Sequence, residues 1–394
     1  MVIKAQKGTK DIFNNANYSE IRTPIFEATE LFERGVGDST DIVNKEMYTF
    51  VQKERNITLR PENTAGVVRA FIENGMQRLS FPVKLWYKGP MFRYERPQAG
   101  RQRQFHQIGV ELFGINEPSA DAEVILVAMN YLKKLNIPDL SLEINSLGCP
   151  ECRNTFREKL KEVIKPNLDK YCPDCHLRFE KNPLRILDCK NPECQDLISL
   201  EAVQGIIKSD YICKDCSDHF NFLKEQLDFM EISYKVNKLL VRGLDYYNRT
   251  VFEIKSYALG SQNAVCGGGR YDNLVEMLGG QATPAVGWAM GMERLLTLMP
   301  EIETKTVDVF VVSNMPKEAL KLTDEIRNIG FKADFDMSCK KFGKQFDKAS
   351  KLNAKFAVVL GEEELKENKL TIKNLSSSEQ IILEKKEALN FLQK

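Results

Sequence analysis

The period of the apolar positions changes several times along the chain, and each change marks a structural boundary. Residues 83–95 (VKLWYKGPMFRYE) and 103–114 (RQFHQIGVELFG) are rich in β-branched and aromatic residues. They flank the polar segment ERPQAGRQ, which predicts an antiparallel strand pair joined by an arginine-rich hairpin. In residues 119–135, Val124, Leu126, Val127, Met129 and Leu132 fall at helical spacing behind Ser119 at a capping position, so a helix is expected there. Strand-like sequence resumes at LLVRGLDYYNRTVFEIKSY, followed by a glycine-rich turn, CGGGRYDNL, and an apolar helix, AVGWAMGMERLLTLM.

The stretch from about 149 to 231 has a different character. It holds two long amphipathic segments and eight of the ten cysteines, and reads as a helical insertion rather than a continuation of the sheet. After the hydrophilic EIETKT the pattern changes again. VDVFVVS, PKEALKLTDEIRNIG, FKADFDM, KKFGKQFDKASKLNA and KFAVVLG alternate strand and helix, which predicts βαβ units and a largely parallel sheet. This tail of about 90 residues is long enough to be a domain of its own. The expected division is therefore 1–300, carrying the insertion, and 306–394.

Composition narrows the class. Across 394 residues, 43% apolar and 28% charged composition fits a soluble globular protein and excludes a disordered one. No run approaches the roughly 18 apolar residues of a membrane span, and MVIKAQKGTKDIF has no apolar leader core, so a cytoplasmic protein without a membrane partner is expected. With 56 Lys and Arg against 55 Asp and Glu, binding to nucleic acid by bulk positive charge is excluded and local patches must do that work. Six cysteines fall in Cys-x-x-Cys pairs, Cys149/Cys152, Cys172/Cys175 and Cys213/Cys216. In a reducing compartment that spacing points to metal or redox chemistry rather than cross-links.

Four arginines, Arg93, Arg96, Arg101 and Arg103, crowd the hairpin. A guanidinium grips phosphate in a bidentate fork and keeps its charge at any working pH. Strand alternation puts Arg101 and Arg103 on one face with Phe105, Gln107 and Glu111. Cation binders beside a carboxylate suit a zwitterionic ligand next to a polyphosphate; an exposed basic hairpin is the plain alternative. The run Cys266–Asp272 matches neither a Walker nor a dinucleotide fingerprint, and reads either as a turn or as a close backbone approach to a ligand. Arg294, in an apolar helix, needs a partner, either a ligand phosphate or an internal carboxylate. His106 falls at the opposite strand parity from the arginines and reads as structural. No Ser-His-Asp, Cys-His or HExxH arrangement stands out, which favours chemistry driven by positioning and electrostatics.

These residues carry a resemblance over nearly the whole chain to the histidyl-tRNA synthetase family of class II aminoacyl-tRNA synthetases. IRTPIFEATELFERGVG, with Pro24, is similar to part of class motif 1, FRYERPQAGRQRQFHQ to motif 2 and GWAMGMERLL to motif 3. LVRGLDYYNRTVFE and GGGRYDNLVEMLGG resemble the two histidine-specific signatures. The resemblance implies an α+β, antiparallel-sheet catalytic core of class II type, an inserted helical subdomain and a C-terminal α/β anticodon-binding domain. It implies activation of L-histidine with ATP and Mg2+, transfer to tRNA(His), and a homodimer.

By the same resemblance, Arg93 would hold the α-phosphate and substrate carboxylate, Arg101 the outer phosphates, and Arg294 would also clamp ATP. Arg242 would stand where the carboxylate attacks phosphorus. Glu62 and Tyr247 would read the imidazole, with Thr64 and Tyr246 in the same histidine pocket, and Gln107 and Glu111 would take the amino and carboxylate ends. In the tail, Lys340, Lys341, Lys344, Lys348 and Lys351 would form a basic stripe for RNA phosphate.

Two features depart from the family pattern. Only FNNAN separates KGTKDI from YSEIRTP, where the family has a helix of roughly five turns at the dimer interface. That departure keeps a second reading open, a folded synthetase without activity; a third is the synthetase-like regulatory subunit of ATP phosphoribosyltransferase. Cys172, Cys175, Cys189 and Cys194 have zinc-knuckle-like spacing, and a Zn2+ site is expected there, with Cys149 and Cys152 held away from it by the intervening helix.

Overall fold

The structure is a computed structural model that describes residues 10–37, 40–95, 101–209, 211–260, 263–299, 307–338 and 340–393. Arg96 lies outside the described residues, as do Lys7, Gly8 and Thr9 of KGTKDI. The chain divides into two compact units, Met1–Pro300 and Glu301–Lys394.

The first unit is built on an eight-stranded sheet in the order Ser19–Glu20, Val83–Phe92, Gln104–Phe113, Ala285–Gly291, Ala264–Arg270, Asn248–Ser256, Leu140–Ser146 and Tyr234–Val236. The six inner strands run antiparallel, and only the two edge pairings are parallel. The arginine hairpin joins the Val83–Phe92 and Gln104–Phe113 strands, paired from Val83 opposite Phe113 to Phe92 opposite Gln104.

Two expectations fail in the middle of this sheet. The glycine run is a strand, not a turn, and 285–299 is half strand: Ala285–Gly291 lies in the sheet and only Met292–Leu298 is helical. Alternation explains both. Gly267 pairs with Ala289, which pairs with Gly109; Gly269 pairs with Gly287, which pairs with Glu111. One face of the sheet centre is thus nearly bare of side chains, while Val286, Trp288 and Met290 fill the other. On that second face the helix Ser119–Lys134 packs over Trp288, whose indole N–H donates to the Val124 carbonyl at 2.8 Å. The helix begins at Ser119 itself, with Pro118 at the cap. Of residues 239–257, only Asn248–Ser256 is strand; the preceding stretch is a loop.

An ion cluster centred on the buried Arg270 and Asp121 fastens this face. Arg270 meets Asp121 at 2.7 Å and Asp272 at 2.9 Å, while His219 and Thr250 each bond Asp121 at 2.6 Å. Buried charges persist only when paired and hydrogen-bonded in this way. On the bare side, the helix Thr64–Glu73 closes the core through Val67, Val68 and Phe71. A small antiparallel sheet, ordered Phe26–Ala28, Arg55–Leu59 and Tyr48–Gln52, stands beside it. Residues 10–15 form a helical turn that leads directly to the Ser19–Glu20 strand, so no long helix intervenes.

Residues 150–208 form helices Pro150–Ile164, Pro173–Lys181, Pro192–Ile198 and Glu201–Lys208 around their own core of Phe156, Leu160, Ile164, Leu184 and Ile186, and the helix Lys214–Phe229 returns along Ser119–Lys134. The second unit has a sheet ordered Ala333–Phe335, Val309–Val312, Phe356–Val359, Lys369–Asn374 and Gln380–Glu384, with three parallel strands extended by two antiparallel ones. Val309 and Val311 meet Leu322, Ile326 and Leu392, whereas Phe310 and Val312 face Ala349 and Phe346. Burial on both faces is why VFVV is an unbroken apolar run. Among the described residues no helix is long and apolar enough to cross a membrane.

Candidate active site

The bare centre of the sheet becomes the floor of a cavity of about 250 Å³, with Gly267, Ala289 and Gly291 beneath it. Charged and aromatic side chains rise around the floor from four segments: the residues before the Thr64–Glu73 helix, the arginine hairpin, the loop before Asn248, and the start of the Met292–Leu298 helix.

Glu62 precedes the Thr64–Glu73 helix and accepts its first free amide N–H groups, from Thr64 at 2.7 Å and Ala65 at 3.0 Å. A carboxylate is favoured at such a terminus, yet burial wins and raises its pKa above the ordinary value, opposed by these amides and by Arg93. Glu111 lies one layer behind the cavity wall rather than in it. Thr64 donates to it at 2.8 Å and the Tyr271 hydroxyl donates to its other oxygen. Burial pushes its pKa up to about 8 despite both bonds. Tyr246 and Tyr247 stand beside it, Tyr246 at 5.6 Å from the Tyr271 ring, and burial holds both phenols neutral. Gln107 lines the cavity, and its buried side-chain oxygen accepts no hydrogen bond among the described residues.

The other end of the cavity is cationic. Arg93 donates to the Pro61 carbonyl at 2.9 Å and lies over the Phe105 ring. Arg101 pairs with Glu95 at 3.0 Å, and Arg294 donates to the Ala264 carbonyl at 2.7 Å. Burial lowers the pKa of Arg294, and the neighbouring Arg101 and Arg93 charges lower it further. Three guanidinium groups face two carboxylates here, Glu95, 3.0 Å from Arg101 and 3.9 Å from Arg93, and Glu293, which leaves a surplus of positive charge suited to an anion. Arg103 does not join them: its guanidinium lies over the Tyr94 ring at 4.4 Å. The regular strand begins only at Gln104, so strand alternation does not reach back to Arg103.

Arg242 sits between the two ends. It donates to Glu253 at 2.6 Å, and although burial opposes its charge, Glu253 more than restores it. It lies flat on the sheet because Gly267 is beneath it. His106 is paired with Glu293 through its ring at 2.9 Å and its backbone N–H, outside the cavity wall.

Sequence reasoning missed Tyr271, Glu253, Glu95 and Glu293. Tyr271 had a signal, its place directly after the glycine run. Glu95 and Glu293 adjoin the named arginines in sequence, whereas Glu253 is brought to Arg242 only by the return of the chain.

Cys172, Cys175, Cys189 and Cys194 come together in the helical insert, their sulfurs all within 4.8 Å of one another, far from disulfide length. Cys172 and Cys189 are 3.8 Å apart, and the Cys172 N–H points at the Cys194 sulfur at 3.3 Å. Cys149 and Cys152 stand outside this group.

Comparison with known proteins agrees with this layout. The sequence profile of the histidyl-tRNA synthetase family matches residues 3–151 and 199–295, passing over the cysteine-bearing middle of the insert, and that of an anticodon-binding domain matches 306–394. The chain is 46% identical to the histidine–tRNA ligase of Acetivibrio thermocellus over 407 residues, covering 96% of this chain and 97% of that one. It is 48% identical to the histidine–tRNA ligase of Thermosipho melanesiensis over 386 residues, covering 95% and 90%. The crystal structure of apo S. aureus histidyl-tRNA synthetase matches with a TM-score of 0.80 at 35% identity, over 99% of this chain and 95% of that one. A Bacillus halodurans structure described as an ATP phosphoribosyltransferase regulatory subunit/histidyl-tRNA synthetase shares the fold, with a TM-score of 0.65 at 22% identity over 91% of this chain and 94% of that one.

Proposed function

The chain belongs to the histidyl-tRNA synthetase family, a family of aminoacyl-tRNA ligases, and from that premise we propose how its cavity activates histidine and passes it to tRNA(His). The observation that carries the reading is the joining of two unlike ends in one cavity, Arg93, Arg101 and Arg294 at one and Glu62, Gln107 and the tyrosines at the other.

ATP lies with its phosphates among the three arginines. Histidine lies with its carboxylate toward Arg242. An oxygen of that carboxylate forms a bond to the α-phosphorus while the bond from phosphorus to the β-phosphate oxygen breaks, giving histidyl-adenylate and pyrophosphate. The nucleophile is already ionised, so no general base is required. Arg242 and Arg93 lower the barrier by meeting charge where it gathers in the transition state. In the second step a terminal ribose hydroxyl of tRNA(His) attacks the carbonyl carbon, the bond from that carbon to the phosphate oxygen breaks, and AMP leaves as the hydroxyl proton is released. Glu95 and Glu293 offer hard oxygen donors that would hold a Mg2+ ion brought with ATP, and the ion would offset phosphate charge there.

The geometry favours a different division of labour at the histidine end from the one the family signatures suggested. Glu62 lines the cavity and adjoins Arg93, and Gln107 lines the same space. An α-ammonium must lie close to its own carboxylate, so these two acceptors take it. Glu111, behind the cavity wall with both oxygens already taken by the Thr64 and Tyr271 hydroxyls, is a poor partner for an ammonium. With Tyr247 in front of it, Glu111 sets the hydrogen-bonding pattern of the imidazole end. A site that pairs both ring nitrogens rejects analogues that leave a buried polar group unpaired.

A zinc ion at Cys172, Cys175, Cys189 and Cys194 would be structural, since four thiolates leave no open position. The protein works in the cytoplasm as a homodimer. Ile25, Phe26, Phe50 and Val51, exposed on and beside the small sheet, supply the apolar surface for a second copy. The lysines around the Phe342–Lys351 helix face tRNA.

The direct test is transfer of labelled histidine to a tRNA(His) transcript. Charging that requires ATP and histidine, and fails with a tRNA of another specificity, is expected; charging absent from folded protein would exclude the ligase reading.

A further inference from the structure

Four more cysteines meet where the helical insert joins the sheet. Cys149 and Cys152 begin the helix Pro150–Ile164, directly after the Leu140–Ser146 strand, and Cys213 and Cys216 begin the helix Lys214–Phe229, which leads back to it. Some 60 residues separate the two pairs in sequence, but their four sulfurs lie within 4.8 Å of one another. This group is separate from the one inside the insert.

We propose that Cys149, Cys152, Cys213 and Cys216 bind a zinc ion that clamps the two ends of the insert to the catalytic sheet. The two pairs are built alike. In each Cys-x-x-Cys the first cysteine caps its helix in an extended conformation, with φ and ψ of −71° and 175° for Cys149 and −67° and 167° for Cys213. Each pair also donates an amide to the other: the Cys149 N–H to the Cys216 sulfur at 3.2 Å and the Cys213 N–H to the Cys152 sulfur at 3.0 Å. Amide donors aimed at sulfur stabilise thiolates, which are what zinc binds. Zinc–sulfur bonds of about 2.3 Å in a tetrahedron place the sulfurs roughly 3.8 Å apart; Cys149 and Cys152 are 3.5 Å apart. A disulfide needs about 2 Å and would engage only two of the four.

The surroundings fit a closed structural site. Cys152 and Cys216 are buried and Cys213 is exposed, so the ion enters from solvent on one side. Gly148, at φ +73°, lets the strand turn tightly against Cys152: a Cβ there would lie 2.4 Å from the Cys152 Cβ. Binding releases the thiol protons, Zn2+ plus four thiols giving a tetrathiolate of charge −2 and four H+.

The clamp reaches the histidine pocket. Arg153, next to Cys152, donates to the Tyr247 carbonyl at 2.7 Å and to the Asp245 carbonyl at 3.3 Å. Fixing this helix end therefore fixes the loop that carries Tyr246 and Tyr247.

The experiment measures metal content and the zinc coordination shell of the full chain purified under reducing conditions, beside Cys213→Ser and Cys172→Ser. The expected result is two zinc ions per chain with an all-sulfur shell, with one lost in each variant. Zinc content unchanged by Cys213→Ser would overturn the proposal. So would a wild-type chain holding no zinc, or a single ion that Cys172→Ser removes, and these outcomes stand even if Cys213→Ser does not fold. Metal content is read without reference to activity, so failure here leaves the ligase reading untouched.

Discussion

Gly267 lies directly under Arg242: a Cβ on this glycine would stand 1.7 Å from a guanidinium nitrogen. The glycine is therefore part of how the arginine is aimed. Gly267→Ala is expected to tilt Arg242 away from Glu253 and lower histidine-dependent pyrophosphate exchange by about 10²-fold or more, comparable to losing one preorganised donor. Gly268, on the opposite face, serves packing instead. A Cβ there would meet the Gly287 carbonyl at 2.4 Å and the Trp288 Cβ at 2.6 Å, so Gly268→Ala should appear as a lower Tm. Equal effects of the two substitutions on exchange at matched stability would contradict this division.

Glu111 makes stability depend on pH. Its pKa in the folded chain is about 8, above the ordinary carboxylate range, because of burial. A value raised on folding contributes stability that is complete below the unfolded pKa, near pH 4, and is lost as pH rises through about 8. Urea midpoints of the free protein should fall across that window, and Glu111→Gln, which cannot ionise, should flatten the fall. An identical slope in the variant would show that Glu111 is ionised in the folded state.

The arginine hairpin, the helix over 119–134 and the alternating tail were legible because each shows a clean period in the sequence. The sheet centre was not. Gly267, Gly269, Gly287 and Gly291 leave the strand alternation without its second letter, so a strand hollowed to hold a ligand looks like a turn or an apolar helix. The side chains of the site could be named from the family signatures, but their layering could not. Glu111 shares strand parity with Gln107, and only packing against Thr64 and Tyr271 sets it behind the wall. Likewise, no spacing rule joins Cys149 to Cys216 across the whole insert.

The small sheet exposes Phe26 at 56% and Val51 at 68% of their surface, next to the exposed Ile25 and Phe50, a cluster of apolar side chains suited to a partner. Sedimentation should give a dimer. Val51→Glu should shift it toward monomer and reduce exchange; a wild-type chain that is monomeric and fully active would remove the dimer from the account.

Lys344 and Lys351 lie exposed on the Phe342–Lys351 helix, whereas Lys348 is drawn to Asp336 at 3.3 Å. Lys344→Glu with Lys351→Glu should raise KM for tRNA and reduce its salt dependence, while pyrophosphate exchange, which needs no tRNA, stays unchanged. Loss of exchange in this variant would mean that the helix does something other than hold RNA.

The central claim, that the cavity joins histidine to ATP through Arg242, is tested most directly by exchange of labelled pyrophosphate into ATP. The account predicts exchange that depends on histidine in the wild-type chain and falls at least 10²-fold in Arg242→Ala with little change in histidine binding. Full exchange in Arg242→Ala, or none in well-folded wild-type protein, would contradict it.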